Sequence, residues 1–120
     1  MKKVWCVRAE YGTYTKQFVN GGYVGIGYGL TSSLANVKTR EELTALYKQA
    51  HPDEFSNLVI GQQVGQITRF LLEMSAGDYV ITPSADTEFL HYGVLSDNGY
   101  WFDYEQTDGC PYLHRRGVIW

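Results

Sequence analysis

The sequence is poor in the residues from which covalent and metal-centred sites are built. It has two cysteines, Cys6 and Cys110, and three histidines in 120 residues. No two histidines share metal-ligand spacing with each other or with a cysteine, and free thiols of a cytoplasmic protein are the default expectation for the cysteines. The glycines at 25, 27 and 29 match neither a dinucleotide fingerprint nor a phosphate loop. We therefore predict no metal, no cofactor and no enzymatic activity in this domain.

Charge and long apolar runs are also scarce. Charged residues make up 19% of the chain and the net charge is −3. A protein held to nucleic acid mainly by phosphate contacts is usually basic, so any such contact here must use a local patch. The sequence shows no leader and no apolar run of membrane length, so no membrane partner is expected. Hydrophobic residues reach 44%, and the length predicts one folded domain over residues 1–120.

Aromatic residues, in contrast, are abundant. They form 15% of the sequence, and ten of them are tyrosines. A tyrosine combines an apolar face with a polar tip, which suits a binding surface. With so many in one small domain, some must lie near the surface, where such a site would be.

Periodicity and turn signals predict an α+β fold. Strands are expected at 3–9, 23–28, 79–83, 88–95, 100–104 and 115–120. Helices are expected at 15–19, from a capping box of Thr39 and Glu42 to about Ala50, and from 57 or 61 to 74. Thr15 is the expected cap of the first helix, and Asn20-Gly21-Gly22 is expected to end it. Asp97-Asn98-Gly99 signals a tight hairpin. The strand order predicts a small bent mixed sheet, or a partly open barrel, with two to three helices packed outside.

Four segments carry a resemblance to a known family. They are Val-Trp-Cys-Val-Arg-Ala at 4–9, Tyr-Val-Gly-Ile-Gly-Tyr-Gly at 23–29, Gly-Gln-Ile-Thr-Arg-Phe at 65–70 followed by Gly77-Asp78, and His-Arg-Arg-Gly-Val-Ile-Trp at 114–120. In this order and spacing they resemble the N-terminal PUA-like domains, related to EVE and YTH domains, that precede nuclease or ATPase modules in Mrr- and McrB-type restriction systems.

The resemblance implies a non-catalytic reader of modified bases. Its relatives hold the base, often flipped from the strand, in an aromatic pocket. The implied partners are modified DNA, with RNA left open, and a separate nuclease or ATPase effector of prokaryotic defence. Such domains are usually joined to their effector, so the chain is expected to be a module excised from a longer restriction protein. Where these domains often end the second strand in Ile-Gly-Trp, this sequence has Tyr28 in the tryptophan position.

Candidate pocket residues lie at predicted strand ends, where loops carry sites disproportionately. Tyr28 would stack on a base, and Trp101 would close the aromatic cage. The remaining candidates would satisfy the polar edge of the base: Arg8, Glu10, Tyr11, Thr82 and Ser84. Each has a simpler structural interpretation, as a core or rim aromatic, a solvated loop residue or a turn former. Trp5 is expected in the core because of the strand alternation.

Candidate contacts to the nucleic-acid backbone are Lys16, Arg115 and Arg116. The two arginines point to opposite faces of the last strand, so one of them is expected to pair internally. Gln66 and Arg69 lie away from the buried stripe of their helix and face either the pocket or water. Two other functions stay open: a pocket for a free nucleotide or other small ligand, which suits the net charge better, and a protein-interaction module.

Overall fold

The structure is a computed structural model, and it describes residues 2–10, 12–85 and 89–120. Over these residues, three helices and five strands follow one another along the chain. In order they are β1 (Val4–Cys6), α1 (Thr15–Gly21), β2 (Tyr23–Ile26), α2 (Arg40–Ala50), α3 (Asn57–Thr68), β3 (Tyr79–Pro83), β4 (Leu90–Phe102) and β5 (His114–Ile119). A π-helical turn, Arg69–Glu73, extends α3. None of the helices in the described part of the chain has the length and apolarity that a membrane span needs.

The strands form one open mixed sheet in the order β1-β3-β4-β5-β2. Strand β1 runs parallel to β3, and the other three pairings are antiparallel. The sheet's two edges are therefore β1 and β2. The predicted α+β class, a small bent mixed sheet with helices packed outside, is confirmed.

Two hydrophobic clusters hold the helices to the sheet. The first joins the sheet to α1 and the π-helical turn through buried residues such as Phe18, Val80 and Phe70. The second joins α2, α3 and the segment after β2 through residues such as Leu43 and Ile67. Ile26 at the end of β2 packs against both clusters. The end of β2 is thus fixed from two sides, which matters for the site described below.

The helix ends follow their sequence signals in two cases out of three. The Glu42 amide donates to Thr39 Oγ1 at 3.2 Å, so the predicted cap at Thr39 is confirmed. The Glu42 carboxylate reaches back as predicted, but it accepts from the amide of Lys38 at 3.1 Å, one residue before the cap. Gly22, with a φ of 69°, ends α1 in the left-handed conformation. The predicted cap at Thr15 is wrong. Its hydroxyl donates instead to the Pro83 carbonyl at 2.8 Å, because this buried side chain serves a long-range contact.

The predicted hairpin at Asp97-Asn98-Gly99 is also wrong. Residues 90–102 form one strand, and both of its halves pair with β5, at Leu95 with Val118 and at Tyr100 with Arg116. The register shifts between these pairs, so the segment from 96 to 99 is a bulge. Gly99 does have a positive φ, of 74°. The Asn98-Gly99 pair thus predicted the positive φ correctly. The hairpin prediction failed because a bulge uses the same backbone conformation as a tight turn.

Candidate functional site

A cleft of about 420 Å³ opens between the two edges of the sheet. The residues that line it come from β1 and the chain after it, from the end of β2, and from α3 with its π-helical turn: Trp5, Cys6, Val7, Arg8, Ile26, Tyr28, Gln66, Arg69, Phe70 and Met74. Strands β1 and β2 stand at opposite ends of the strand order. Because both line one cleft, the sheet must bend until its edges approach each other. The volume is within the range of small-ligand pockets.

Tyr28 forms one aromatic wall of the cleft. Its φ is 55°, and Gly29 follows at 73°, so β2 stops at Ile26 rather than at the predicted residue 28. The His51 Nε2 hydrogen-bonds to the Tyr28 carbonyl at 2.7 Å, which holds this unusual backbone in place. The phenol oxygen is hydrogen-bonded to Gln66 Oε1. Burial raises the pKa of Tyr28, so this hydroxyl stays protonated and can donate to Gln66.

Trp5 is a second aromatic residue of the cleft, where the sequence predicted a core residue. Its ring is half-buried and packs on the first hydrophobic cluster while also lining the cleft. The indole N–H donates to Asp78 Oδ2 at 2.9 Å, and the amides of Lys3 and Ser75 donate to the same carboxylate. The Trp5 hydrogen bond is the main reason that the pKa of Asp78 is lowered. These contacts fix the orientation of the indole.

The polar part of the cleft is cationic. Arg8 and Arg69 are both exposed, and no acidic side chain is found among the described residues that line the cleft. Neither guanidinium forms an ion pair within residues 2–10, 12–85 and 89–120. Since the whole chain carries a net charge of −3, this is a local positive site on an acidic protein. Such a site attracts anionic groups and electron-rich polar edges.

The floor of the cleft is held by Arg116 from the opposite side. Its Nη1 donates to the carbonyls of Phe70 at 3.2 Å and Met74 at 2.5 Å. These carbonyls belong to the π-helical turn and its end, where backbone acceptors lack helical partners. Phe70 and Met74 both line the cleft. Arg116 therefore positions the floor, and a π-helical turn at such a place is frequent in functional sites.

Of the predicted pocket residues that the structure describes, only Arg8 and Tyr28 line the cleft. Tyr11 lies outside the described residues, and Glu10 is exposed with a φ of 49°. Thr82 is fully buried, and its hydroxyl has no hydrogen-bond partner among the described residues. The Ser84 hydroxyl accepts from the Phe89 amide at 3.3 Å, away from the cleft.

Trp101 also lies away from the cleft. Its ring packs edge-on against Tyr23, with 6.3 Å between the ring centroids. It is not among the residues that line the cleft, because the bulge in β4 sets it opposite Arg115 on β5. The two aromatic walls are thus Tyr28 and Trp5, rather than the predicted Tyr28 and Trp101.

The predicted backbone contacts are dispersed. Arg115 is 3% exposed and pairs with Asp103 at 2.6 Å and Asp108 at 3.1 Å. Arg116 is buried under the cleft floor, so both arginines pair internally, where one was expected to reach a phosphate. The correction follows from burial, since both guanidinium groups are enclosed in the fold and donate to acceptors there. Lys16 is exposed, but it lines a separate depression with Ser84 and His91.

Two cleft residues stayed undecided in the sequence and one was misassigned. Gln66 and Arg69 are three residues apart on the polar face of α3, and docking of the helix turns that face toward the cleft. The polar face itself was visible in the sequence, but its direction was not. Trp5 was assigned to the core from the alternation of its strand. Alternation shows which residues share a face of the sheet, but it does not show that this strand is an edge strand beside a cleft.

Comparisons with known proteins give a family and no function. A family model described as a domain of unknown function (DUF8426) matches residues 3–120. No curated protein and no solved structure matches the chain. The cleft must therefore be interpreted from its own chemistry.

Proposed function

The chain belongs to the DUF8426 family, and from the geometry of the cleft we propose that this domain is a non-catalytic reader of modified bases in nucleic acid. One observation carries the proposal: two aromatic walls, Trp5 and Tyr28, and two cations without an ion-pair partner in the described part of the chain, Arg8 and Arg69, meet in one cleft of about 420 Å³. Aromatic faces bind bases by stacking, and guanidinium groups bind their acceptor atoms. The cleft is large enough for a base but not for a duplex, so the base enters flipped out of its strand.

The polar edge of the base would be matched by Gln66 and the two arginines. Gln66 Oε1 is engaged with Tyr28, while its amide nitrogen has no partner among the described residues. Its N–H groups are therefore available to a carbonyl or ring nitrogen of the ligand. A modified base would be distinguished from its unmodified counterpart by how its extra chemical group fits against the apolar side chains of Phe70 and Met74.

The wider role rests on the resemblance of the four segments rather than on the cleft. In this role the ligand is modified DNA, with RNA also open. The partner is a nuclease or ATPase effector, and the domain acts in prokaryotic defence in the cytoplasm. The second candidate is a pocket for a free nucleotide, and the net charge of −3 favours it because a polyanionic strand is repelled by an acidic protein.

Titration of Tyr28 variants tests the reader. The ligands are short single strands that carry one central 5-methylcytosine, 5-hydroxymethylcytosine or N6-methyladenine, their unmodified counterparts, and the matching mononucleotides. Tyr28→Ala should weaken binding of the preferred strand by about 1–3 kcal/mol, the worth of one base–aromatic stack. Tyr28→Trp should retain binding, because Trp offers a larger face. Tyr92→Ala is the matched control, since Tyr92 is 75% exposed on β4 and does not line the cleft.

Cys6 gives an independent readout of where the ligand lies. This thiol is exposed and lines the cleft, whereas Cys110 is fully buried. Occupation of the cleft should slow the reaction of Cys6 with a disulfide reagent in the otherwise unaltered protein. The reader hypothesis is wrong if no modified strand is preferred over its unmodified counterpart, or if binding leaves Cys6 equally reactive. Equal or tighter binding of the mononucleotide would support the free-nucleotide pocket.

A further inference from the structure

A second cavity adjoins the cleft across helix α3. This groove, of about 650 Å³, lies between the start of α2 and the exposed side of α3. Arg40, Arg69 and several amide side chains line it, and none of the described lining residues is acidic. It shares Gln66 and Arg69 with the cleft. A ligand in the cleft would therefore be able to extend into the groove past these two side chains.

Two guanidinium groups converge in this groove. Arg40 Nη1 and Nη2 both lie 3.7 Å, and Arg69 Nη1 lies 3.9 Å, from the point that a Cβ atom on Gly65 would occupy. Neither arginine has an ion-pair partner among residues 2–10, 12–85 and 89–120. Both groups are cations, and like charges that approach one point repel each other. Arg40 is also the first residue of α2, where the helix dipole disfavours a cation.

Two glycines of α3 lie beside this arrangement. Gly61 and Gly65 are one turn apart on α3, and Arg40 Nη2 donates to the Gly61 carbonyl at 3.0 Å. Glycine weakens a helix interior, so two of them on one face carry a cost in helix stability. The hydrogen bond to Gly61 joins α2 to α3, but a neutral side chain could also supply it. A role as a simple clamp between α2 and α3 therefore does not explain why the positive charge of Arg40 lies beside that of Arg69.

We propose that this groove binds a phosphate group of the strand whose base occupies the cleft. This inference rests on the proposed function and adds a position for the backbone. A phosphate between Arg40 and Arg69 would relieve their repulsion, and the planar guanidinium fork suits bidentate contacts to phosphate oxygens. The backbone would thus bind on the α2–α3 side of the domain, away from Lys16, Arg115 and Arg116.

Salt dependence of binding tests the groove at Arg40, which lines the groove but not the cleft. The logarithm of the affinity falls linearly with the logarithm of the salt concentration. For an unmodified single strand, Arg40→Gln should make this slope shallower by about 0.7, the value of one phosphate contact. The loss of affinity should then be about fivefold greater at about 50 mM than at about 500 mM salt. Lys48→Gln is the matched control, because it removes the same charge from an exposed position of α2. Arg40→Lys should keep the slope.

The same titrations separate this inference from the proposed function. Arg40→Gln should leave the ratio of modified to unmodified affinity unchanged, whereas Tyr28→Ala should lower that ratio. An unchanged salt slope in Arg40→Gln, with base preference intact, overturns the groove alone. If the wild-type protein shows no preference for a modified base, but Arg40→Gln still changes the salt slope, the reader function is overturned and the groove is supported as a phosphate site.

A strand with neutral linkages tests the proposal by changing the ligand. One methylphosphonate linkage is moved stepwise along the modified strand, and wild-type binding is measured at each position. Binding should fall several-fold when the linkage next to the modified base is neutral, and this effect should be clearly smaller in Arg40→Gln, where only Arg69 is left to contact the phosphate. Equal binding at every position overturns the proposal. If Arg40→Gln weakens binding of a 5′-mononucleotide as much as it weakens binding of the strand, the phosphate site is supported and its source is the free nucleotide.

Discussion

Arg115 provides the clearest contrast between a phosphate contact and a structural residue. The sequence made it a candidate for the nucleic-acid backbone, and the structure encloses it in a network. Its guanidinium pairs with Asp103 and Asp108 and donates to the carbonyls of Cys110 and Tyr112, at 3.1 and 2.9 Å. It also lies 4.2 Å from the centre of the Tyr23 ring. We therefore expect Arg115→Gln to destabilise the fold rather than to weaken ligand binding alone.

The expected magnitude follows from the exposure of the partners. Removing one member of a buried ion pair typically costs about 3–5 kcal/mol. The low end applies here because the Asp103 and Asp108 side chains are 25% and 32% exposed and can regain water. The two carbonyl groups lose their donor as well, which adds to the cost. At an unfolding entropy of about 2.1 cal/mol/K per residue, a loss of about 3 kcal/mol lowers the Tm of a chain of this size by about 12 °C.

Urea unfolding followed by tryptophan fluorescence measures this difference, with strand binding measured in parallel. Lys16→Gln is the matched control, because Lys16 is exposed and the charge change is the same. The control should unfold at the wild-type midpoint. An Arg115→Gln protein that keeps the wild-type midpoint but binds strands more weakly would refute the reasoning and restore Arg115 as a phosphate contact.

Two further predictions concern the bulge and the acid stability. Gly99→Val should lower the free energy of unfolding by about 1–2 kcal/mol, because a β-branched residue is strained at a φ of 74°; Gly99→Asn should be tolerated better, and equal urea midpoints for the two would contradict this. The lowered pKa of Asp78 means that its carboxylate stabilises the fold above about pH 4 and that this stabilisation is lost as the pH falls through the folded-state pKa. Asp78→Asn should therefore be less stable than wild type near neutral pH, because its NH₂ group replaces a carboxylate oxygen that accepts a hydrogen bond and so faces at least one donor. The difference in stability should narrow in acid; a constant difference across thermal melts at several pH values would argue against this role.

The parts of the fold that sequence predicted well depend on neighbours in the chain. Thr39 and Glu42 are three residues apart, and Gly22 needs only its own backbone freedom to end a helix. The hairpin prediction failed because Asn98-Gly99 specifies a positive φ and not a partner strand. Both halves of β4 pair with β5 instead, and no local pattern records that choice.

The site was predictable where a strand end alone defined it. Tyr28 and Arg8 were assigned because each lies at the end of a predicted strand, and Tyr28 also because of the resemblance. The orientation of Gln66 and Arg69 depends on how α3 docks, so the sequence left two directions open. Burial of Arg115 depends on Asp108 and Asp103, which lie 7 and 12 positions away in an irregular loop. Sequence patterns do not show that this loop folds back onto the strand that follows it.

The pairing of β5 has a consequence for how the domain folds. Strand β5 lies between β4 and β2, so it joins residues 23–26 to residues 114–117. The Trp120 indole donates to the Phe18 carbonyl across 102 positions of the chain. Contacts between such distant residues slow the search for the native state, because long loops must close before any pairing is gained. During synthesis β2 therefore remains without its partner strand until residues 114–117 have left the ribosome.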